Sequence, residues 1–138
     1  MLTLPRLVAV LMLASAIVVA AHFMVSHFYS DAIEVEDIWY VLNWIMAVGV
    51  LYAVAYNFMR RRAASGGPDP AQSLRASMAF YITVLLALWF FWSWFAELTA
   101  GAESSSDAAR SITWVLVDGL YPLVTGNVAC RLWSSGNG

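Results

Sequence analysis

The chain has 138 residues, of which 62% are hydrophobic and 12% are charged, and its formal net charge at pH 7 is −2. Globular proteins typically carry about 25% charged residues, so this composition excludes an ordinary soluble domain. The slightly negative balance, without a basic groove, excludes a nucleic-acid-binding protein. Cys130 is the single cysteine, which excludes an intrachain disulfide and a thiolate metal cluster.

Four apolar stretches account for most of the chain. A helix needs roughly 20 residues to cross a bilayer core of about 30 Å, and each stretch has about that length. The sequence therefore predicts an all-α integral membrane protein with a single domain over residues 1–138. The predicted spans are Leu7–Tyr29, Ile38–Met59, Ala76–Glu97 and Ile112–Trp133.

The first span raises the alternative of a cleaved signal peptide. Its sequence Ala14-Ser15-Ala16 is one that a signal peptidase accepts. The apolar run continues well past that site, through Val18 and Phe23. We therefore expect a retained membrane span.

The arginines predict the orientation in the membrane. Only Arg110 lies on the side that collects most of the acidic residues. Because cytoplasmic loops carry an excess of Lys and Arg, both termini are predicted to be cytoplasmic, in a multi-pass protein of the plasma or inner membrane. The six arginines on the cytoplasmic side are Arg6, Arg60, Arg61, Arg62, Arg75 and Arg131.

The loops predict an up-down bundle of two hairpins. The segment 60–75 contains Gly66, Gly67, Pro68 and Pro70, which interrupt helices. It is predicted to be a flexible cytoplasmic hinge between a hairpin of spans one and two and a hairpin of spans three and four. The tail 134–138 has nothing to pack against and is predicted to be frayed.

Polar residues within the spans define the candidate site. An ionisable group in hydrocarbon is costly to bury and is a functional-site hypothesis by default. Asp118 lies in the fourth span, near 10 Å below the outer surface at about 1.5 Å per residue. His22, Asn43 and Ser93 fall at a similar depth on the other three spans. These four residues are predicted to form an intramembrane polar cluster, with His22 and Asp118 hydrogen-bonded and Asn43 bridging them.

Two plainer interpretations of this cluster remain open. Polar side chains between membrane helices often only hold the helices together, at about 0.6 kcal/mol each. The same residues are also compatible with exposure at the membrane interface. The cluster becomes an ion or proton site only if its carboxylate takes part in binding.

A helix break is predicted beside the acid of the fourth span. Gly119 follows Asp118 directly, and Pro122 comes four residues after it. Proline lacks a backbone N–H, so the carbonyl of residue 118 loses its usual donor. A carboxylate, a glycine and a free carbonyl within one turn suit cation binding or proton transfer, or else a kink whose acid pairs with a neighbouring helix.

Residue spacing on the second span predicts its packing. Gly49 and Ala53 form a pair of small residues that permits a close helix contact. A separate stripe on the same helix is predicted to face inward, because its members recur at helical spacing. The stripe consists of Asn43, Ala47, Val50, Val54 and Asn57.

The third span ends in a dense aromatic run, Trp89–Phe95. Interfacial belts account for most membrane tryptophans and tyrosines, but this run is denser than a belt requires and points around the whole helix. Trp89, Trp92 and Trp94 are therefore predicted contacts for a partner subunit or a lipid, with a simple interfacial belt as the alternative.

No cofactor or catalytic activity is expected. His22 and His27 lie about 140° apart around one helix, so they cannot both be axial ligands of one haem. His27 is a weak metal candidate beside the acidic first loop, although its spacing matches no established zinc or copper pattern. Nucleophile motifs, phosphate-binding glycine loops and dinucleotide fingerprints are lacking, so an enzyme is not predicted.

Two functions from different classes fit these features. The first is a non-catalytic accessory, assembly or stabilising subunit of a larger membrane complex, with other membrane subunits or further copies of itself as partners. The second is a small homo-oligomeric ion- or proton-coupled transporter or channel that uses Asp118 as its intramembrane carboxylate.

Overall fold

The computed structural model describes residues 4–28, 35–100 and 107–135. Within these ranges the fold is entirely helical, which confirms the predicted all-α class for the described residues. The four α-helices are α1 (Leu4–Val25), α2 (Val35–Ala64), α3 (Pro70–Ala100) and α4 (Asp107–Ser135), and a 3-10 turn, Ser26–Phe28, follows α1.

Three of the described helices are long and apolar enough to cross a membrane: α1 over Leu4–Val25, α2 over Ile38–Ala64 and α3 over Pro70–Thr99. Helix α4 has 29 residues, but Asp118, Asn127 and Arg131 make it less apolar. Of the four predicted spans, three are therefore supported by length and composition among the described residues.

The connection between α2 and α3 is shorter than the predicted hinge 60–75, since only residues 65–69 separate the two helices. Pro70 begins α3 instead of preventing it, because the first helical position needs no N–H partner. The Oδ1 atom of Asp69 accepts a hydrogen bond from the N–H of Ala71 at 2.9 Å. Asp69 is thus the N-cap of α3.

Asp69→Ala is expected to lower the free energy of unfolding by about 1 kcal/mol, because it removes this capping acceptor. The matched control is Asp69→Asn, which keeps the acceptor oxygen and should cost a few tenths of a kcal/mol at most. Unfolding of both variants in mild detergent measures the difference. Equal losses would assign the effect to the charge of Asp69 and contradict the cap.

The C-terminal end of α4 is longer than predicted. The hydroxyls of Ser134 and Ser135 donate to the carbonyls of Cys130 and Leu132, each at 3.0 Å. The first two residues of the predicted frayed tail are therefore helical. Residues 136–138 lie outside the described residues, as do most of the acidic first loop and the third loop.

The helices do not pair as the two predicted hairpins. Helix α1 packs chiefly against α4, and α2 packs chiefly against α3, whereas α1 and α2 make few contacts. Helix α4 also touches α2 and α3, so it is the element that joins the bundle. The predicted pairing of spans one with two and three with four is not confirmed.

Contacts at the two ends of the bundle define how the helices run. The Arg6 guanidinium of α1 lies 5.9 Å from the ring centroid of Trp133 of α4, so these helices are antiparallel. At the opposite end, the rings of His22 and Trp39 meet at 4.6 Å. The arginine end is the end with Arg6, Arg60, Arg61, Arg131 and Trp133. The tryptophan end is the end with His22, Trp39, Trp44, Trp94 and Trp114.

Tyr121 ties three helices together near the middle of the bundle. Its side chain, from α4, is fully buried, and its hydroxyl donates to Oγ of Ser15 on α1 at 3.1 Å. The Ser15 hydroxyl in turn donates to the carbonyl of Met12 at 2.8 Å. A Cβ atom at Gly49 of α2 would fall on the Tyr121 hydroxyl. Gly49 therefore makes room for the tyrosine.

The predicted inward stripe of α2 lies in or beside the core. Asn43, Ala47, Val50 and Asn57 are buried, and Val54 is half-buried. Both small residues of the predicted close contact, Gly49 and Ala53, are buried as well. The main core adds large side chains from the other helices: Val19, Leu86, Phe90, Val117 and Tyr121.

Candidate functional site

The four residues of the predicted polar cluster all lie in the interior, one from each helix. Their exposed fractions are 8% for His22, 7% for Asn43, 8% for Ser93 and 5% for Asp118. The contact of His22 with Trp39 puts this layer at the tryptophan end. A buried polar layer inside a membrane bundle has no water to satisfy it, so its hydrogen bonds decide what it does.

Asp118 and Asn43 each bury an oxygen that no described residue satisfies. Within the described part of the chain, Oδ1 of Asp118 and Oδ1 of Asn43 have no hydrogen-bond partner. Such buried unpaired acceptors are rare in folded proteins and cost about 1–3 kcal/mol each. The layer therefore contains acceptor oxygens that a cation, a proton or a donor from another molecule would stabilise.

A different buried polar pair shows that this bundle can satisfy its own amides. Nδ2 of Asn57 on α2 donates to Oγ1 of Thr83 on α3 at 2.9 Å. The Thr83 hydroxyl then donates to the carbonyl of Ala79 at 2.7 Å. Polar side chains that only hold helices together form satisfied pairs of this kind. Asn43 and Asp118 differ from it because no described residue donates to their Oδ1 atoms.

Glu97 is a member of this layer that the sequence analysis missed. Its Oε1 accepts a hydrogen bond from the indole Nε1 of Trp114 at 2.9 Å, which ties α3 to α4 one turn before Asp118. Because Trp114 and Asp118 are one turn apart on the same face of α4, this bond brings the Glu97 carboxylate to within about one helical turn of Asp118. The sequence contained one signal that Glu97 belongs to the layer: Glu97 follows Ser93 by four residues and therefore shares its helix face.

The other two members of the layer contact their immediate surroundings. The Ser93 hydroxyl donates to the carbonyl of Trp89 in its own helix at 2.9 Å, and the His22 ring packs edge-on against Trp39. The hydrogen bond from His22 to Asp118 stays a prediction. The side chain of His27 lies outside the described residues, so the weak metal candidate also stays a prediction.

The predicted break at Gly119 and Pro122 does not interrupt α4, which is helical through both residues. Pro122 still lacks an N–H, so the carbonyl of Asp118 has no donor at that position. Gly119 is exposed, and a Cβ atom there would meet nothing within 4 Å. Gly119 therefore faces away from the polar layer.

Comparison with known proteins assigns no family to the chain. No family model, curated protein or solved structure matches it. Its function is therefore inferred from its own residues and contacts.

The three tryptophans predicted to contact a partner or a lipid have separate environments. Trp94 is only 5% exposed, and its ring packs against Trp44 at 4.8 Å and Phe90 at 5.6 Å. Trp89 is partly buried against the core. Trp92 is 78% exposed. Trp94 is thus a core residue, and an outside contact is available chiefly to Trp92.

Proposed function

We propose that the chain is a non-catalytic accessory or stabilising subunit of a larger membrane complex. The observation that carries this proposal is the exposure of Trp92 on α3, the helix that the bundle covers least. In the most apolar part of α3 only 22% of residues are buried, compared with 39% in α2. A tryptophan at the centre of an interface is a common energetic anchor.

The exposed face of α3 has the spacing of a helix-packing surface. Large side chains, each more than half exposed, recur at alternating steps of four and three residues. This is the spacing at which two helices pack along their lengths at about 20°. Lipid also covers helix faces of this kind, so the proposal of a protein partner rests on the aromatic side chains of the face. We call this face the α3 seam: Leu74, Met78, Tyr81, Leu85, Leu88, Trp92 and Phe95.

We further infer that α4 is a fourth span and that the arginine end faces the cytoplasm. Helix α4 runs antiparallel to α1 along its length, as the pairs Arg6–Trp133 and Ser15–Tyr121 indicate. It thus extends across the same thickness as a spanning helix. The clustering of arginines at one end supports cytoplasmic termini in a plasma or inner membrane.

Trp92→Leu is expected to weaken binding of the partner by about 2 kcal/mol, roughly 30-fold in affinity, because it removes the anchor of the α3 seam. Leucine keeps the position apolar, so contact with lipid remains tolerated. Tyr40→Leu is the matched control, since Tyr40 is 57% exposed on α2 and lies at the same end. Recovery of the complex from membranes in mild detergent, quantified against the wild type, measures both.

A photocrosslinking side chain at position 92 identifies what touches the seam. We expect crosslinks to one distinct membrane protein from position 92 and none to that protein from position 40. Crosslinks from position 92 to lipid alone, together with unchanged recovery of Trp92→Leu, would contradict the proposed role.

A second candidate function is a small homo-oligomeric ion- or proton-coupled transporter or channel. The observation that favours it is the buried Oδ1 of Asp118, which has no partner in the described part of the chain and lies one turn after Trp114, the donor to the Glu97 carboxylate. Binding of a cation or a proton at Asp118 would satisfy this acceptor and reduce the negative charge of the layer. Ion-coupled transport relies on intramembrane carboxylates of this kind.

A further inference from the structure

A groove opens between α2 and α4 on the arginine side of the polar layer, beginning at Pro122, one helical turn after Asp118. Its volume is about 850 Å³. Arg60 and Arg131 line one end of it, and Pro122, Leu123 and Gly126 line the end nearer the middle of the bundle. These three residues precede Arg131 by five to nine positions, which corresponds to roughly 7–14 Å along the helix. One end of the groove is therefore cationic and the other apolar.

The two arginines of the groove have no acid beside them among its described lining residues. Nη1 of Arg60 is buried and has no hydrogen-bond partner within the described part of the chain. Arg60 and Arg131 line the same groove, so two positive charges share one space. Nε of Arg131 donates to Oδ1 of Asn127 at 2.7 Å, a bond that orients the guanidinium without using its terminal nitrogens. No carboxylate is among the described residues that line the groove.

A neighbouring arginine has a different environment. The Arg61 guanidinium lies over the rings of Phe80 and Tyr81, at 5.2 and 4.9 Å from their centroids, so an aromatic surface of α3 stabilises it. Arg60 and Arg131 instead bring two positive charges to one space. An anion with several oxygens balances these charges, and the guanidinium fork matches the geometry of phosphate.

The apolar part of the groove suits a hydrocarbon chain. Leu123 is exposed along its wall, and a Cβ atom at Gly126 would meet nothing within 4 Å. We propose that the groove binds an anionic phospholipid, with its phosphate between Arg60 and Arg131 and an acyl chain along Leu123 and Gly126. Basic pockets between membrane helices bind lipid headgroups through the same chemistry. This proposed lipid site is independent of whether the chain is an accessory subunit or a transporter.

The first test measures binding of phosphatidylglycerol to the delipidated full chain by native mass spectrometry in mild detergent. Arg60→Gln and Arg131→Gln are each expected to lower the affinity about tenfold, because each removes charge-assisted hydrogen bonds to the phosphate. Arg61→Gln is the matched control: it makes the same charge change beside the groove and should alter the affinity less than about twofold. An equal loss of affinity in Arg61→Gln would show that the lipid responds only to the overall positive charge of this end, and would overturn the proposed site.

The second test separates a lipid from free phosphate. Gly126→Leu fills the open apolar part and leaves both arginines, so it is expected to reduce phosphatidylglycerol binding about tenfold. Phosphatidylcholine should bind the wild type at least about tenfold more weakly, because its headgroup carries no net charge. Equal binding of the two lipids would overturn the proposal. Binding of inorganic phosphate that Gly126→Leu leaves unchanged, without retention of the lipid, would overturn the assignment to a lipid.

The third test locates the lipid with the native thiol. Cys130 is the single cysteine of the chain, is exposed and lines the groove. Phosphatidylglycerol is expected to slow its alkylation by N-ethylmaleimide several-fold in the wild type and in Arg61→Gln, but not in Arg60→Gln/Arg131→Gln. An unchanged alkylation rate in the wild type with bound lipid would overturn this location.

Discussion

Gly49→Ala is expected to lower the free energy of unfolding by about 2 kcal/mol, because the added methyl group displaces the Tyr121 hydroxyl from the helix junction. The displacement breaks the hydrogen bond from Tyr121 to Ser15 and forces α2 away from α4. The better helix propensity of alanine offsets about 1 kcal/mol of the strain. Unfolding in mixed detergent micelles measures the change.

Two matched variants separate this clash from a general effect of losing a glycine. Gly126→Ala on α4 places a methyl group in open space, so it is expected to be neutral or to stabilise by about 0.5–1 kcal/mol. Tyr121→Phe removes only the hydroxyl, at a cost of about 0.6–1 kcal/mol. In Gly49→Ala/Tyr121→Phe the methyl group then lies 3.1 Å and 3.2 Å from two ring atoms, a crowding that a small shift of the ring relieves.

The double variant is therefore expected to be as stable as Tyr121→Phe alone, with a coupling of about 2 kcal/mol between the two positions. Losses that simply add would contradict the contact between Gly49 and Tyr121. Equal losses in Gly49→Ala and Gly126→Ala would do the same.

Asp118→Asn is expected to raise the free energy of unfolding by about 1–3 kcal/mol, because it removes a buried charge whose Oδ1 has no hydrogen-bond partner among the described residues. It also removes one of the two carboxylate charges, Asp118 and Glu97, from the layer. Glu97→Gln is the companion variant, since its Oε1 still accepts from Trp114 while its charge is lost. It should change stability in the same direction by a smaller amount. Destabilisation by Asp118→Asn would indicate that the ionised carboxylate has a stabilising partner.

The same substitution separates the two candidate functions. If the chain is a transporter or channel, proteoliposomes that contain it alone should carry an ion-dependent flux, which Asp118→Asn reduces to background while the assembly stays intact. If the chain is an accessory subunit, neither protein should carry flux, and Asp118→Asn should affect only the amount of complex recovered. Flux that survives Asp118→Asn would exclude Asp118 as the coupling group.

Local sequence patterns predicted the helices and much of their packing. The apolar stretches predicted three helices that are long and apolar enough to cross a membrane, and the spacing of Gly49 and Ala53 predicted the close contact on α2. The predicted bounds of the helices were wrong where one residue type suits two positions. Proline disrupts the interior of a helix but is favoured at its first position, and Pro70 begins α3. The pairing of α1 with α4 could not be predicted, because it depends on contacts between opposite ends of the chain.

Depth along each span selected residues that all lie in the interior, but depth alone cannot predict their partners. Trp92 and Trp94 are two positions apart and therefore point to nearly opposite sides of α3, which is why one is exposed and the other lies in the core. Glu97 was assigned to the edge of its span, yet its bond to Trp114 brings it into the layer. The open oxygens of Asn43 and Asp118 depend on side-chain geometry that composition and spacing do not contain.

The pairing of α1 with α4 has a consequence for biogenesis. Helix α1 leaves the ribosome well before α4, its principal neighbour, and roughly 5–20 s of synthesis separate the two at about 5–20 residues per second. We expect lipid or the insertion machinery to hold α1 during that interval, and the less apolar α4 to enter a site that α1, α2 and α3 have already formed. Truncations that remove α4 should therefore leave a chain that inserts but is cleared by membrane proteases.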